Sequence, residues 1–532
     1  MNSKKLKLAC IAIAVTQALN VSDVNAATII VDTNIDSSAS DQTTCTLRDA
    51  ITSANNDSLV TGSACIAGNG ADVIEFHGLA NPTTITLTSQ LPLITSNITI
   101  NGTGRDSLAI SGADSYVMFR NDAELTLSNL TLRDGFFGRE RAAAIESYGE
   151  SLVLESLNII DNGTSNGQPN GNVGITIISR DSERFTLSNS LVSNNASRGA
   201  IISSSFGTSE STISNSTITL NNAGEMITSG ARSFIMSGTH VTNNTGTGIT
   251  LVGGRTTIKT SNVSGNSGTG AVVIGPFSLD IIDSTISNND NGVFNYGTAM
   301  NISGSTISGN SPNGGIFFYG YDPEREQHRS ISISNSSISG NFSGDRDGGG
   351  ASLFSQSIKI NNTTFSGNES NGNGGGLFLT RESFVPIITN SIFTGNTAVL
   401  GAEIATVIDD PSQGPVSTNN IFGSDLISIS SALSNFVPGE RDILATSDEL
   451  GLATSEIILG LSDNGGGTLT HALAPNSPAI DQGFACEQND QRGEIRGALC
   501  DIGAFEFNVN DQSEIDYYLI PLENEKTIIF GL

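Results

Sequence analysis

Through the middle of the chain apolar residues alternate with Ser and Thr, the two-residue period of a strand that buries one face. The pattern is cleanest in Ile302-Ser303-Gly304-Ser305-Thr306-Ile307-Ser308-Gly309-Asn310. It returns at Ile333 to Asn341, Ile360 to Asn368 and Ile388 to Asn396, with looser copies at Leu187 to Asn195, Met236 to Asn244 and Ile258 to Asn266. The closing residues Asn162, Asn195, Asn222, Asn244, Asn266, Asn289, Asn310, Asn341, Asn368 and Asn396 stand 21 to 33 residues apart. A near-constant floor with longer insertions is the mark of stacked coils whose turns vary and whose rungs do not. β-branched Ile, Val and Thr suit a pleated surface. Asn closes each rung because it tolerates left-handed backbone and its amide bonds neighbouring chain. Coil on coil, such side chains are expected to form a ladder. About 22 residues make three short strands and three turns, so the pattern predicts a right-handed parallel β-helix, an all-β solenoid. Its inward Ile and Phe build the core, and its Ser and Thr face water or stack.

The two ends break this period. Lys4, Lys5 and Lys7 precede an apolar run from Leu8 to Leu19, too short to span a membrane, and Val24-Asn25-Ala26 offers a small-residue cleavage site. Residues 1–26 are therefore read as a signal peptide, and no later segment reads as a membrane span. Leu47, Ala50, Ile51 and Ala54 fall at helical spacing behind a possible N-cap at Thr44 or Thr46, which predicts a short helix laid over the open first coil. Beyond the leader four cysteines remain, two near each end. An even count in an exported chain predicts disulfides; of three possible pairings, Cys45–Cys65 and Cys486–Cys500 are expected because a solenoid holds its ends apart.

Composition narrows the function. The 532 residues carry 24 Lys and Arg against 53 Asp and Glu, a formal charge of −29. Such a surface repels nucleic acid and anionic lipid. It permits calcium without requiring it, and no cofactor is called for. Trp is absent, which removes the commonest sugar-stacking side chain.

Cys45-Thr46-Leu47-Arg48-Asp49-Ala50, with Asp72 to Phe76 and Leu91-Pro92-Leu93-Ile94, resembles the CSLREA domain of secreted bacterial proteins. Residues from Asp463-Asn464-Gly465-Gly466-Gly467 through Pro475, Asp481, Arg492 and Cys500-Asp501-Ile502-Gly503 resemble the choice-of-anchor Q domain that accompanies it. The Gly-Gly steps before Ile316, Ala351 and Leu377, with the Phe365 and Phe393 rungs, are similar to repeats of chlamydial polymorphic outer-membrane proteins. These resemblances imply an exported protein, extracellular or held at the cell surface and outer membrane, built as a pectate-lyase-like solenoid. The layout expected is signal peptide 1–26, N-terminal cap 27–97, β-helix 98–425, irregular C-terminal cap 426–508 and tail 509–532. The tail offers two short apolar strands and no LPxTG anchor.

Chemistry is sought in the insertions between rungs, the largest at Asp161 to Val173, Tyr319 to Arg329 and Gly340 to Ala351. The middle one groups Asp322, Glu324 and Arg325 and is similar to a Tyr-Gly-Phe-Asp-Pro-His motif of mannuronan C5-epimerases, with Glu324 where that motif has His. Asp345 and Arg346 are a second compact acid–base group. These five are the candidate catalytic residues, against the alternative of solvated loops. Polygalacturonase signatures are missing, and the helix holds only Lys259 and Lys359 as lysines. Arg48 is read as pairing with a carboxylate beneath the helix. Asp481, Arg492, Arg496 and Asp501 are read as a bonding network in a last coil of irregular backbone. The leading expectation is adhesion or binding of a polysaccharide or host-surface ligand. The alternatives are a polysaccharide lyase, epimerase or glycosidase, and a surface spacer that binds nothing.

Overall fold

The computed structural model describes residues 26–508 except 38–42, 137–141, 166–167, 170–173, 206, 269–271, 276, 321–328, 382–384 and 408–414. All of the expected leader but Ala26, and the whole 509–532 tail with its expected hairpin, lie outside these residues. Three parallel sheets, of 15, 15 and 13 strands, run side by side along a right-handed parallel β-helix. Thirteen consecutive coils contribute one strand to each sheet, and strand order follows the chain.

One coil shows why the rung reads as it does. Ala299–Ser303 joins the first sheet with Met300 and Ile302 buried. The chain turns at Gly304, whose φ of 59° favours glycine, and Ser305. Thr306–Ser308 joins the second sheet with Ile307 inward, and the chain turns again at Gly309 (φ 62°) and Asn310. A variable link then leads to Ile316–Tyr319 in the third sheet. The left-handed residue therefore precedes the closing Asn, as Gly309, Gly340, Gly367 and Gly395 do in their coils. That corrects the expectation that Asn itself supplies the left-handed backbone.

The closing Asn is freed for a different task. Asn162, Asn195, Asn221, Asn244, Asn266, Asn289, Asn310, Asn341, Asn368 and Asn396 are buried in one column. Each amide from Asn162 to Asn368 donates to the next coil's Oδ1, as Asn310 Nδ2 does to Asn341 Oδ1 at 3.0 Å. The same Oδ1 accepts the Asn310 backbone N–H at 3.1 Å, and the second amide proton goes to Ile286 O at 3.0 Å. Asn221 occupies the place expected for Asn222, because the left-handed residue of that turn is Leu220. Of the Ser and Thr expected to face water or stack, one set does stack. Ser190, Ser216, Thr239, Ser261, Ser284, Ser305 and Ser336 form a second buried ladder, each hydroxyl accepting a backbone N–H from the coil before. Buried polar groups are tolerated here because nearly every donor and acceptor is satisfied.

Carboxylates end both ladders. Asn420 N and Nδ2 donate to Asp442 Oδ1 at the foot of the serine column. At the foot of the Asn column, Asn396 Nδ2 donates to Glu403 Oε2 at 2.5 Å. Glu403 stands in register beneath Gly315, Gly350 and Gly376, where an added Cβ would meet a next-coil carbonyl at 2.5 to 2.6 Å. Close coil contact thus explains those Gly-Gly steps. Only at the last of these coils, where the sequence after Ile421-Phe422 runs Gly-Ser-Asp without Asn, does a side chain enter that space.

The N-terminal helix, Leu47–Asn56, buries Leu47, Ala50, Ile51 and Ala54, with Thr46 Oγ1 capping Asp49 N. The Cys45–Cys65 bridge ties its entry. Thr28–Val31 and Asp72–Phe76 already belong to the first sheet, so that sheet begins before Ile98.

The C-terminal segment departs most from expectation. Ile429–Ala432 and Leu433–Ser434 close the third sheet, and Ile443–Leu444 ends the second. Thr454–Ile457 then leads to an antiparallel pair, Ile458–Ser462 with Thr470–Leu473. Residues 474–507 then run along the flank of the solenoid as a strap and do not form a last coil. Asn419 Nδ2 donates to Gln482 O, Asn390 Nδ2 to Phe484 O, Ala504 N to Thr364 Oγ1 and Gln491 Nε2 to Thr306 Oγ1. Outward positions of the second sheet are partly exposed at Thr217, Asn262 and Thr285 but buried at Thr306, Ser337, Thr364, Ile392 and Ile421. Ile392 and Ile421 form a second apolar core with Leu473, Ile502 and Phe505 of the segment above.

Candidate functional site

Asp322, Glu324 and Arg325 lie outside the described residues. Asp345 and Arg346 are exposed on a turn whose backbone is pinned by Ser343 Oγ and Ser370 Oγ donating to Arg346 O at 2.6 and 2.7 Å. Asp347 beside them accepts Asn373 N at 2.7 Å. The structure therefore places Asp345 and Arg346 together on an anchored, solvent-facing turn, and it directs only Arg346 toward a larger feature.

That feature is a set of aromatic side chains on the outward face of the third sheet. Phe294, Phe317 and Phe378 occupy one outward row, and Tyr319 and Phe354 the next, with Tyr296 two residues beyond Phe294. Ring centroids follow one another at 5.4 to 6.4 Å through Phe294–Phe317, Tyr296–Phe317, Tyr296–Tyr319, Tyr319–Phe354, Phe317–Phe354 and Phe354–Phe378. Apart from the Phe294–Phe317 pair, the planes are tilted by 47 to 55°. Tyr296 is 51% exposed and Tyr319 38%. The Arg346 guanidinium lies 5.8 Å from the Phe294 centroid, within cation–π range. Sequence reasoning missed these rows. A signal was present in Gly292-Val293-Phe294-Asn295-Tyr296 and Gly315-Ile316-Phe317-Phe318-Tyr319, which repeat the same outward aromatics behind the same glycine.

The expected cap residues sit in buried networks. Arg48 grips Asp36 with both arms, Nε to Oδ1 at 3.0 Å and Nη2 to Oδ2 at 2.9 Å, and also donates to Gln90 O and Ser89 O. Burial opposes ionisation of Asp36, but the hydrogen bonds from Arg48 and Thr88 outweigh it and hold the carboxyl below its ordinary value. Arg492 pairs with Asp490 at 2.8 Å and lies 3.7 Å over the Phe505 ring. Arg496 pairs with Glu506 at 3.1 Å and donates to Gly503 O and Asn335 Oδ1. Asp501 accepts from Asp481 N and Phe507 N; burial pushes its carboxyl up to about 6. The Cys486–Cys500 bridge closes this part of the strap.

His471 looks like a general base on paper. Its Nδ1 lies 2.7 Å from Leu459 O and its Nε2 2.9 Å from Ser339 Oγ. Burial holds its pKa below the ordinary value, so the ring is neutral, donating to the carbonyl and accepting from the hydroxyl. His471 lies in Thr470–Leu473, so these two bonds tie the antiparallel pair to the second sheet at Ser339. Among the described residues no three His, Cys, Asp or Glu side chains form a metal-binding group, and no helix is long and apolar enough to cross a membrane.

A family model described as a right handed beta helix region matches residues 143–307. No curated protein matches the chain. Among solved structures, the chain is similar to pectate lyase Pel9A at 14% identity, over 91% of this chain and 96% of that one, with a TM-score of 0.29. No residue role is taken from that likeness. The family match and the three parallel sheets agree on the right-handed parallel β-helix.

Proposed function

We propose that this chain is an exported β-helix protein that binds a surface or extracellular polysaccharide on the outer face of its third sheet and acts in adhesion without cleaving it. The observation that carries the reading is the pair of exposed rings Tyr296 and Tyr319 lying against the half-buried Phe317 and Phe354, since a contiguous apolar patch on a protein surface marks an interaction site. Rings tilted against one another expose parts of their faces to sugar C–H groups, and the Tyr hydroxyls offer hydrogen bonds to sugar oxygens. Binding without cleavage is favoured because general acid–base work needs groups that converge on one point. Asp345 and Arg346 stand on a solvent-facing turn, and His471 and Ser339 are covered. Export is supported by the basic and apolar start of the chain, by the disulfides near each end, and by the CSLREA-like and choice-of-anchor-like segments. The test is a polysaccharide panel that follows retention of the protein together with unsaturated products and new reducing ends. Retention without products is expected. Product formation would move the reading to an enzyme.

A further inference from the structure

We propose that the glycan held on the third sheet is electrically neutral and lies along the helix axis over the coils of Tyr296, Tyr319 and Phe354. This rests on the binding reading above and adds the class and direction of the ligand. Direction follows from the rows. The exposed Tyr296 and Tyr319 and the half-buried Phe317 and Phe354 come from three consecutive coils, two spacings of roughly 4.8 Å each, and the buried Phe294 and Phe378 support them from either end of the same rows. The accessible rings thus follow one another along the axis over the length of about two sugar units.

Neutrality follows from charge. The chain carries −29 formally, and the turn beside the platform adds Asp345 and Asp347. The cation that reaches the rings, Arg346, is seated over Phe294. A uronic-acid polymer would meet long-range repulsion at low salt, and of the described guanidiniums beside the rings Arg346 is seated over Phe294 while Arg329 donates to Gly297 O. The exposed chemistry of the platform is aromatic carbon and the two phenol hydroxyls of Tyr296 and Tyr319, which suits uncharged hydroxyl-rich rings. A second copy of this chain would bring its own −29, which argues against self-association through the same face.

The experiment is native gel electrophoresis of the full chain through gels cast with neutral polymers (hydroxyethylcellulose, a β-1,3-glucan, a galactomannan) or anionic ones (polygalacturonate, alginate), at low and at physiological salt. Slowing is expected in at least one neutral gel, insensitive to salt, and at least tenfold weaker for the Tyr296→Ala/Tyr319→Ala double variant. Both tyrosines are exposed, so the variant should melt with the parent. Tyr296→Phe/Tyr319→Phe keeps the rings and is expected to retain binding within about fivefold. Comparable or exclusive slowing in anionic gels overturns the neutral assignment while leaving binding intact. Undiminished neutral binding by the Ala variant overturns the platform. Slowing in no gel removes the binding reading itself.

Discussion

Glu403→Gln should stabilise this protein, and by an amount that depends on pH. Glu403 is completely buried at the foot of the Asn column, and Oε1 has no hydrogen-bond partner. Burial pushes its carboxyl from 4.5 to about 8, against the smaller opposing effect of the Asn396 amide and the Asn396 and Gly395 backbone. The native state therefore keeps a proton that the unfolded chain releases as pH rises past 4.5. Stability falls with pH between the two values and levels off above the higher one. At 1.36 kcal/mol for each unit of difference, the loss is about 3 kcal/mol at pH 7 and about 4.5 kcal/mol above pH 8.5. Gln keeps an acceptor for Asn396 and has no charge to bury. Its NH2 brings two N–H donors to a space where the protonated acid brings one O–H, a pH-independent cost set against the pH-dependent gain. Urea midpoints of parent and variant at pH 4.5, 7 and 9 measure the effect. The variant's stability relative to the parent should rise steadily from pH 4.5 to pH 9. A pH-independent gap, or a variant less stable than its parent at pH 9, would refute the idea that Glu403 is protonated in the folded chain.

Three further outcomes test the architecture. Asn310→Ala removes the acceptor for two Asn289 donors and leaves them buried, and should cost about 3 kcal/mol or more in urea unfolding. Arg48→Ala leaves Asp36 buried without its bidentate partner and should cost about 3 to 5 kcal/mol at neutral pH. Because the Asp36 carboxyl is held below its ordinary value, Arg48's contribution is present at neutral pH and is lost as pH falls through that depressed value. The gap between parent and variant should therefore shrink only in strong acid. Ile392→Ser should cost about 3 kcal/mol, although it points away from the solenoid's interior. Limited proteolysis should then cut residues 474–507 faster while the coils resist, and an unchanged digestion pattern would count against the strap.

The fold was legible because each coil repeats the same demands: a small or left-handed residue at the turn, an apolar residue inside, a short polar residue where coils must bond. Ile302, Gly304, Ile307, Gly309 and Asn310 each answer one of them. The disulfides followed from where the cysteines fall along a rod. Two things were not legible. Whether the ladder residue was Asn221 or Asn222 depended on Leu220 taking a left-handed turn that Leu rarely takes, which no alternation reveals. The strap has no period, and its docking is set by single contacts such as Gln491 to Thr306 and Asn390 to Phe484. The candidate site was hidden differently. Charged residues cluster in the insertions, whereas the aromatic rows lie on the rungs, spread over four coils between Phe294 and Phe378.

Outward positions are where a rung is free to vary, because nothing in the coil's own packing constrains them. On the first sheet they are a mixed-sign set, with Arg184 opposite Glu210, and Arg255, Lys259, Asp280 and Lys359 further along, as a solvated face would be. On the second sheet the row runs Leu191, Thr217, His240, Asn262 and Thr285 before the strap and becomes Ile at Ile392 and Ile421, where the strap covers it. Those two isoleucines are thus matched by a partner within the chain. Tyr296 and Tyr319, outward on the third sheet, are as apolar in body and yet remain exposed; Ile387 and Val416 at the end of the first sheet do so too, but only the tyrosines adjoin a run of aromatic rings. Packing among the described residues therefore does not account for them, and that is the opening the proposed glycan would fill.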